Sequence, residues 1–428
     1  MAVPGSVVGV GKLITPGGQQ GPKGDAGTAA NVPLADITQN GLLRKTSGNT
    51  TDFTDGTNNY QPLAAAVQPT IWSARLRSFN AVGNPNFEVD QRNIHGGITN
   101  PANNAALLDR YFFTKTGTMT VNAVDPILSN ANIIPGTSFA ITSSQLGLSL
   151  QTQEASLAAG DYLGIVHTVE GPNWRELSQD VTSLSLLVYS TVAPLKFSVA
   201  LRDSPATKSL VKLCTIPTAS TWTLITLPNI PVPPSGNFSL APGAVGYSLQ
   251  VTLACGATFT APSADVWNSG NFIAAPGADN WASKAVGSTF YVCFIQHEPG
   301  PVCSTLIDRP FAQNLDECLR YFQKSYNYGT AVGAASSGVG TVQLTSQASQ
   351  SPVSYIPFPK RMAKVPSVTL YSTITGAINT VRDTSAGVDR AVTAVQAVGE
   401  AGYGGASLSA YNAAVTIYQW HYIADTGW

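Results

Sequence analysis

The chain has 428 residues, with 23 basic and 24 acidic side chains and a net charge of −1. So even a balance leaves no electrostatic footprint for nucleic acid or an anionic membrane, and no stretch approaches the ~18 apolar residues of a membrane helix. Charged residues make up 11 % of the chain, against about 25 % in ordinary globular proteins, while 39 Gly and 28 Pro are scattered among Ser, Thr, Val and Ala, a mixture that favours strands and turns.

Residues 1–35 are poor in aromatics and rich in Gly, Pro and Ala, so they read as an extended arm that orders against a partner. Within it Gly18, Gly21, Gly24 and Gly27 stand at intervals of three. Only Gly fits where three polyproline-II strands meet at a common axis, so this short collagen-like register predicts a trimer neck. The run is about four triplets long, too short to hold a trimer by itself, and the downstream domains must supply the rest. No basic region followed by an apolar run precedes it, so no signal peptide is expected. Residues 36–80 carry turn signals (SGN, DGTNN) around isolated apolar residues and read as a small attachment module, with a short helix ended ahead of Pro69.

Residues 81–326 show strand-length runs with period-two alternation: 118–124, 162–169, 183–190, 196–202, 222–227, 247–253 and 290–296. So many non-local strands describe a sandwich, most economically a jelly roll. A helix starting at Pro310 is expected to close it, seating Leu315, Leu319 and Phe322 on the sandwich. After the Gly/Ser/Ala stretch that follows Tyr326, residues 327–428 alternate again at 368–373, 391–398, 406–412 and 415–424. They predict a smaller C-terminal β domain. Its last strand puts Tyr418, Trp420 and Tyr422 on one face, equally fit for core, trimer seam or ligand platform. The fold class expected is therefore all-β: a jelly-roll β-sandwich and a smaller C-terminal β-sandwich behind an extended N-terminal arm.

Cys214, Cys255, Cys293, Cys303 and Cys318 contain no CxxC pair and read as buried thiols made in a reducing cytosol, although Cys293 and Cys303 are spaced to meet across a hairpin. His95, His167, His297 and His421 are isolated, so no metal or other cofactor is expected.

Several motifs occur in a telling order: GNPNFEVDQRN (83–93), DRYFF (109–113), VWNSGNF (266–272), FYVCFIQHEPG (290–300) and DRPFAQNLDECLRYFQKS (308–325). Together they resemble a carbohydrate-binding-module-like jelly roll found in bacteriophage tail-fibre and other virion-surface proteins. FPKRMAKVPSVTLYSTITG (358–376) and the ending YQWHYIADTGW (418–428) are similar to the small β domain that follows it there, and residues 41–56 to a fibre N-terminal module. Tyr111 stands where the family has Trp, and Phe322 where it often has Tyr; both keep an aromatic body. The resemblance implies a homotrimeric fibre on a phage particle, assembled in the host cytoplasm. Its partners would be other virion proteins of tail, collar or capsid and, at the outer end, host surface polysaccharide. A head fibre or capsid decoration protein is the alternative, ahead of a polysaccharide depolymerase.

Glu88, Gln91, Arg92, Asp109 and Arg110 are expected to pin strands together, and Asp308, Arg309, Glu317 and Arg320 to dock the helix. Hydrolysis of a glycan needs two carboxylates facing one cleft. Glu170, Asp265 and Glu298 are the available members, nothing in the sequence pairs them, and no catalytic residue is assigned. For glycan contact the natural groups are loop aromatics beside amides, because sugar C–H faces stack on rings while hydroxyls need polar partners. Trp174, Trp267 with Asn271, and Trp281 meet that description.

Overall fold

A computed structural model describes residues 79–124, 132–133, 140–141, 144–336 and 338–428, together with three N-terminal strands. Those strands, Leu43–Thr46, Phe53–Thr54 and Asn59–Pro62, form one antiparallel sheet with Asn59–Pro62 in the middle. The expected arm with Gly18, Gly21, Gly24 and Gly27, and the helix ahead of Pro69, lie outside the described residues.

Phe79–Trp428 packs as one compact unit containing a jelly-roll β-sandwich and a smaller β-sandwich. In the jelly roll a six-stranded sheet runs, edge to edge, Thr223–Ile230, Thr182–Ser190, Thr289–Pro299, Leu146–Thr152, Thr120–Val124 and Ile98–Thr99. Facing it is a seven-stranded sheet in the order Trp267–Ser269, Lys208–Ile216, Leu195–Arg202, Val245–Cys255, Tyr162–Glu170, Tyr111–Thr116 and Ala106–Leu108. All pairings are antiparallel. Each of the seven alternating runs falls on a strand.

Alternation decides what each sheet buries. In Val245–Cys255 the odd positions Tyr247, Leu249, Val251 and Leu253 enter the core, and their even neighbours Ser248, Gln250 and Thr252 go to the outer face. Phe197 and Phe290, from opposite sheets, meet edge to face with centroids 5.5 Å apart. The layers are also joined by polar groups. His297 Nδ1 bonds the Tyr247 hydroxyl at 2.5 Å and its Nε2 the Thr182 hydroxyl at 2.9 Å. Burial drives the pKa of His297 down to about 3, so it is neutral in the fold.

Two short helices interrupt the strands: α1 (Gly171–Leu177) and α2 (Phe311–Cys318). Pro310 caps α2, as expected, but the helix stops at Cys318 and its buried residues are Asn314 and Cys318. Phe322 lies on a strand instead. The apolar i, i+4, i+7 spacing was therefore a poor guide here, because Asn314 finds polar partners, Asn86 Oδ1 and the Arg309 carbonyl, that allow it inside.

The smaller sandwich is built around Thr416–Asp425. Phe322–Lys324 and Val342–Ser346 pair along one edge of that strand, Ser367–Ser372 and Thr380–Asp383 along the other, and the sheet continues through Val388–Val395, Gly402–Leu408 and Val353–Pro357. Tyr418, Trp420 and Tyr422 are core, buried with Tyr403, Leu370 and Met362. Of the three roles open to that aromatic face, this is the one it takes. The five cysteines are free thiols.

The seam between the two sandwiches is made by the early motif. Arg92 forms a fork to Asp425, Nη1 to Oδ2 at 2.5 Å and Nη2 to Oδ1 at 2.9 Å, and its guanidinium lies 4.2 Å from the centre of the Phe322 ring. Beside it Asp109 accepts the Gln91 N–H at 2.5 Å and stays 3.7 Å from Arg92 Nε. Burial pushes the pKa of Asp109 up to about 7, against the pull of Arg92. Its unfolded value is about 4. An acid raised by folding binds more protons in the folded state, so stability falls as pH rises from about 4 to about 7. Urea midpoints of wild type and Asp109→Asn are expected to separate in favour of the variant across that interval. A difference that stays constant with pH would refute this account of the buried carboxyl.

Candidate functional site

The outer face of the seven-stranded sheet holds a cluster of polar side chains. Cross-strand register places Gln250 between Ala200 and Val166, and Thr252 between Ser198 and Gly164. Arg202 lies opposite Ser248 on the same outward face. Residues 256–279 fold back over the far half of this face. Ala261 and Ala275, with the half-buried Ala264 and Phe272, pack on Ala200, Val211 and Leu213, where small side chains permit close approach. Ser198 Oγ accepts the Ala275 N–H at 2.9 Å, and Ser209 Oγ donates to the Gly270 carbonyl at 2.9 Å. Gly270, at φ +139°, has a conformation suited to Gly, and any side chain there would strike the Phe272 ring.

A polar groove on this face is bounded on one side by Asn271 and Phe259 of the folded-back segment and on the other by Tyr162 of the strand Tyr162–Glu170. Arg202 lies over its floor, donating from Nη1 to Asn271 Oδ1 and from Nη2 to Gln250 Oε1, both at 2.6 Å. Both partners are neutral amides. Because the Gln250 oxygen faces Arg202, its amide nitrogen is left without an acceptor; Arg202 Nε and the Thr252 hydroxyl are also unpartnered. Gln250 and Thr252 are 2 % and 1 % exposed, so these are buried orphans, a costly arrangement that native folds rarely keep. Burial pulls the pKa of Arg202 down to about 10, while Tyr162 and Asp203 oppose the shift. Half-buried Tyr162 stands edge-on to Phe259 at 5.4 Å, giving the groove an aromatic wall. Beside it is a small cavity of about 60 Å³, lined by Thr252, Thr260, Ala274, Gly277 and Asp279.

The four residues predicted for glycan contact go to three places. Asn271 is exposed and belongs to the groove, as the partner of Arg202. Trp174 and Trp267 are brought together by Phe238, which stacks on Trp174 at 5.0 Å and meets Trp267 edge-on at 5.5 Å. Trp174, on α1 rather than in a turn, is 5 % exposed and also contacts Tyr247; half-buried Trp267 donates Nε1–H to the Pro231 carbonyl at 2.7 Å. Trp281 is fully enclosed, with no ring face open to a ligand. The turn signal beside it, Asp279 and Asn280, is real, but the following 3-10 turn (Trp281–Ser283) points the indole into the sandwich.

Sequence reasoning missed Arg202, Gln250 and Thr252, and also an aromatic row on the opposite sheet. There Trp222, Tyr189 and Tyr291 run across adjacent strands with centroids 5.5 and 5.8 Å apart. Tyr291 lies over Gly147, where a Cβ would fall 2.2 Å from its ring.

The carboxylates considered for hydrolysis are each held by separate partners. Glu170 accepts from Arg320 Nε and Nη2, the Tyr321 hydroxyl and the Gly243 N–H; Asp265 pairs with Lys212 at 2.8 Å; Glu298 accepts from Gln296 and from the Ser304 N–H and hydroxyl. The motif arginines hold structure together: Arg309 pairs with Glu317, and Arg110 lies 3.5 Å from the centre of the Tyr321 ring. Among the described residues no group of three or more His, Cys, Asp and Glu could hold a metal ion, and no helix is long and apolar enough to cross a membrane.

No family model and no curated protein matches the chain. Solved structures similar to it include a family 11 carbohydrate-binding module from Clostridium thermocellum in complex with a β-1,3-1,4-mixed-linked tetrasaccharide, at 12 % identity over 49 % of this chain and 98 % of that one, TM-score 0.25. Another is TmCBM61 in complex with β-1,4-galactotriose, at 10 % identity over 52 % of this chain and 100 % of that one, TM-score 0.27. A third is the enzymatically active domain of tailspike protein 4 from bacteriophage CBA120, at 14 % identity over 51 % of this chain and only 21 % of that one, TM-score 0.26. Identities and scores this low are not evidence of shared function.

Proposed function

We propose that this protein is a non-catalytic, glycan-binding fibre of a bacteriophage particle. It is a homotrimer, attached to tail or collar through its N-terminal region and presenting the groove of the seven-stranded sheet to host surface polysaccharide. The observation that carries the glycan reading is the groove itself: buried hydrogen-bonding groups without partners, beside the half-exposed ring of Tyr162. Hydroxyl-rich chains with apolar C–H faces satisfy both kinds of surface. The order of the fibre-like motifs and the glycine register support the virion and trimer readings. In the smaller sandwich Val353, Tyr355, Ile374, Ile378, Val388 and Val415 are 43–63 % exposed in a single chain, apolar surface that contact between copies would cover. Three weak sites on one rigid trimer gain avidity through effective concentration.

The test is affinity electrophoresis of the full chain through gels containing host surface polysaccharides, beside sedimentation. Retardation is expected for the wild type. Tyr162→Leu should weaken it about three- to tenfold, and Gln250→Leu about tenfold. Sedimentation should give a trimer, and no new reducing ends should appear in the polysaccharide. Absence of retardation on every polymer sinks the glycan reading; a monomer or dimer sinks the fibre. Copy number per particle separates a tail fibre, at a few trimers, from a head fibre or decoration protein, at dozens.

A further inference from the structure

We infer that the groove takes an acidic glycan, with a sugar carboxylate serving as the counter-ion of Arg202; this rests on the glycan reading of the same groove and names its ligand class.

The argument starts from charge. A guanidinium removed from water is strongly disfavoured unless a carboxylate or phosphate neutralises it or an aromatic face receives it. The other well-buried arginines of this fold obey that rule: Arg92 has Asp425, Arg309 has Glu317, and Arg110 lies against the Tyr321 ring. Arg202 has neither kind of partner. Its hydrogen bonds go to the amide oxygens of Asn271 and Gln250, and among the described residues no Asp or Glu oxygen is within ion-pair distance of it. The acid next to it, Asp203, is fully used in closing its own loop, accepting the N–H groups of Thr207, Lys208 and Asn237 and the Thr207 hydroxyl.

The groups left without partners tell the same story. Arg202 Nε and the Gln250 amide nitrogen can only donate, and the Thr252 hydroxyl can donate as well. A cation with a free donor of its own and two more beside it calls for acceptors carrying negative charge. The acceptors of a neutral sugar ring are uncharged hydroxyl and ether oxygens; a uronic or sialic acid carboxylate offers charged acceptors, in the planar pair that fits a guanidinium edge. Exposed Asn271, on the folded-back segment, already holds Arg202 by one nitrogen and sets its plane over the groove.

The experiment uses the full-length protein with three acidic polysaccharides, polygalacturonate, alginate and polysialic acid, and with the same polymers after chemical reduction of their carboxyls to neutral alcohols. At least one acidic polymer is expected to be bound at least tenfold more tightly than its reduced form. Affinity should fall as ionic strength rises past the point where the screening length drops to about 10 Å. Arg202→Met should erase the preference and Arg202→Lys should keep part of it. Asn271→Asp provides a separate route that does not depend on losing the arginine. It places a carboxylate of nearly the same shape against Nη1, so the fold should be as stable or more so, while binding of the acidic polymer drops at least about tenfold. Equal binding of acidic and reduced forms, or an Asn271→Asp protein that binds as well as wild type, overturns this inference and leaves the glycan reading intact. Binding of neither form removes both.

Discussion

Trp281→Ala is expected to lower the stability of the sandwich by about 3–5 kcal/mol, the range for deleting a buried large aromatic. The ring is fully enclosed, and its 3-10 turn holds the edge of the core together: Asn280 Nδ2 donates to the Glu154 carbonyl at 2.9 Å, and the Glu154 N–H to the Ala282 carbonyl at 2.9 Å. Trp281→Phe should cost less than the alanine change. It leaves a smaller cavity, and it removes an indole N–H that has no acceptor in the core, so part of the packing loss is offset. The measurement is chemical unfolding of both variants beside wild type, with glycan binding measured at a temperature where all three are folded. A core tryptophan predicts large stability losses and unchanged affinity. The reverse pattern, little change in stability with affinity lost, would mean that the ring reaches the ligand.

That contrast shows what the sequence could and could not reveal. Strands were legible wherever alternation was regular, because in a two-layer fold each second side chain must find the core; hence Tyr247, Leu249, Val251 and Leu253 were readable in order. Leu146–Thr152 and Lys208–Ile216 were missed. The first does alternate, with Leu146, Leu148 and Leu150 in the core, but Gly147, which makes room for the Tyr291 ring, is a poor strand former; the second carries lysines at both Lys208 and Lys212. The turn signal at 171–173 proved to be the start of α1 and that at 279–280 the approach to a 3-10 turn, and neither says where the next ring points. Both Trp174 and Trp281 went inward. The groove was least legible of all. Arg202 and Gln250 are 48 residues apart, and each alone is an ordinary outward-facing polar position on a strand. What makes them a site is the return of residues 256–279 across the sheet, which removes water from Gln250 and Thr252. Asn271 was picked as an amide beside a tryptophan and proved to matter beside an arginine.

Glu170→Ala should be about as damaging as the loss of Trp281, for an electrostatic reason. Glu170 ends the strand Tyr162–Glu170, just ahead of α1, and gathers four donors: Arg320 Nε at 2.9 Å and Nη2 at 2.6 Å, the Tyr321 hydroxyl at 2.6 Å and the Gly243 N–H at 2.7 Å. Arg320 and Tyr321 lie just past α2, so this carboxylate fastens the close of the jelly roll, and the chain's entry into the smaller sandwich, to the seven-stranded sheet. Removing one member of such a buried pair leaves the others uncompensated, at a cost of about 3–5 kcal/mol. Glu170→Gln keeps one acceptor but sets an amide N–H₂ against donors, and should lose somewhat less. The pKa points the same way. Burial pushes it up, but the bonds from Arg320, Gly243 and Tyr321 outweigh burial and hold it below the ordinary carboxylate range. A group depressed by folding stabilises the fold above its unfolded pKa of about 4 and loses that contribution as pH falls further. Wild type should therefore lose stability more steeply than Glu170→Gln below pH ~4. A general acid for glycoside cleavage needs the opposite shift, upward, so that it keeps its proton near neutrality. If Glu170→Gln unfolded at the wild-type midpoint, with the same acid limb, the clamp described here would be wrong. If it kept full stability and abolished release of reducing ends from a host polysaccharide, the non-catalytic reading would fall with it.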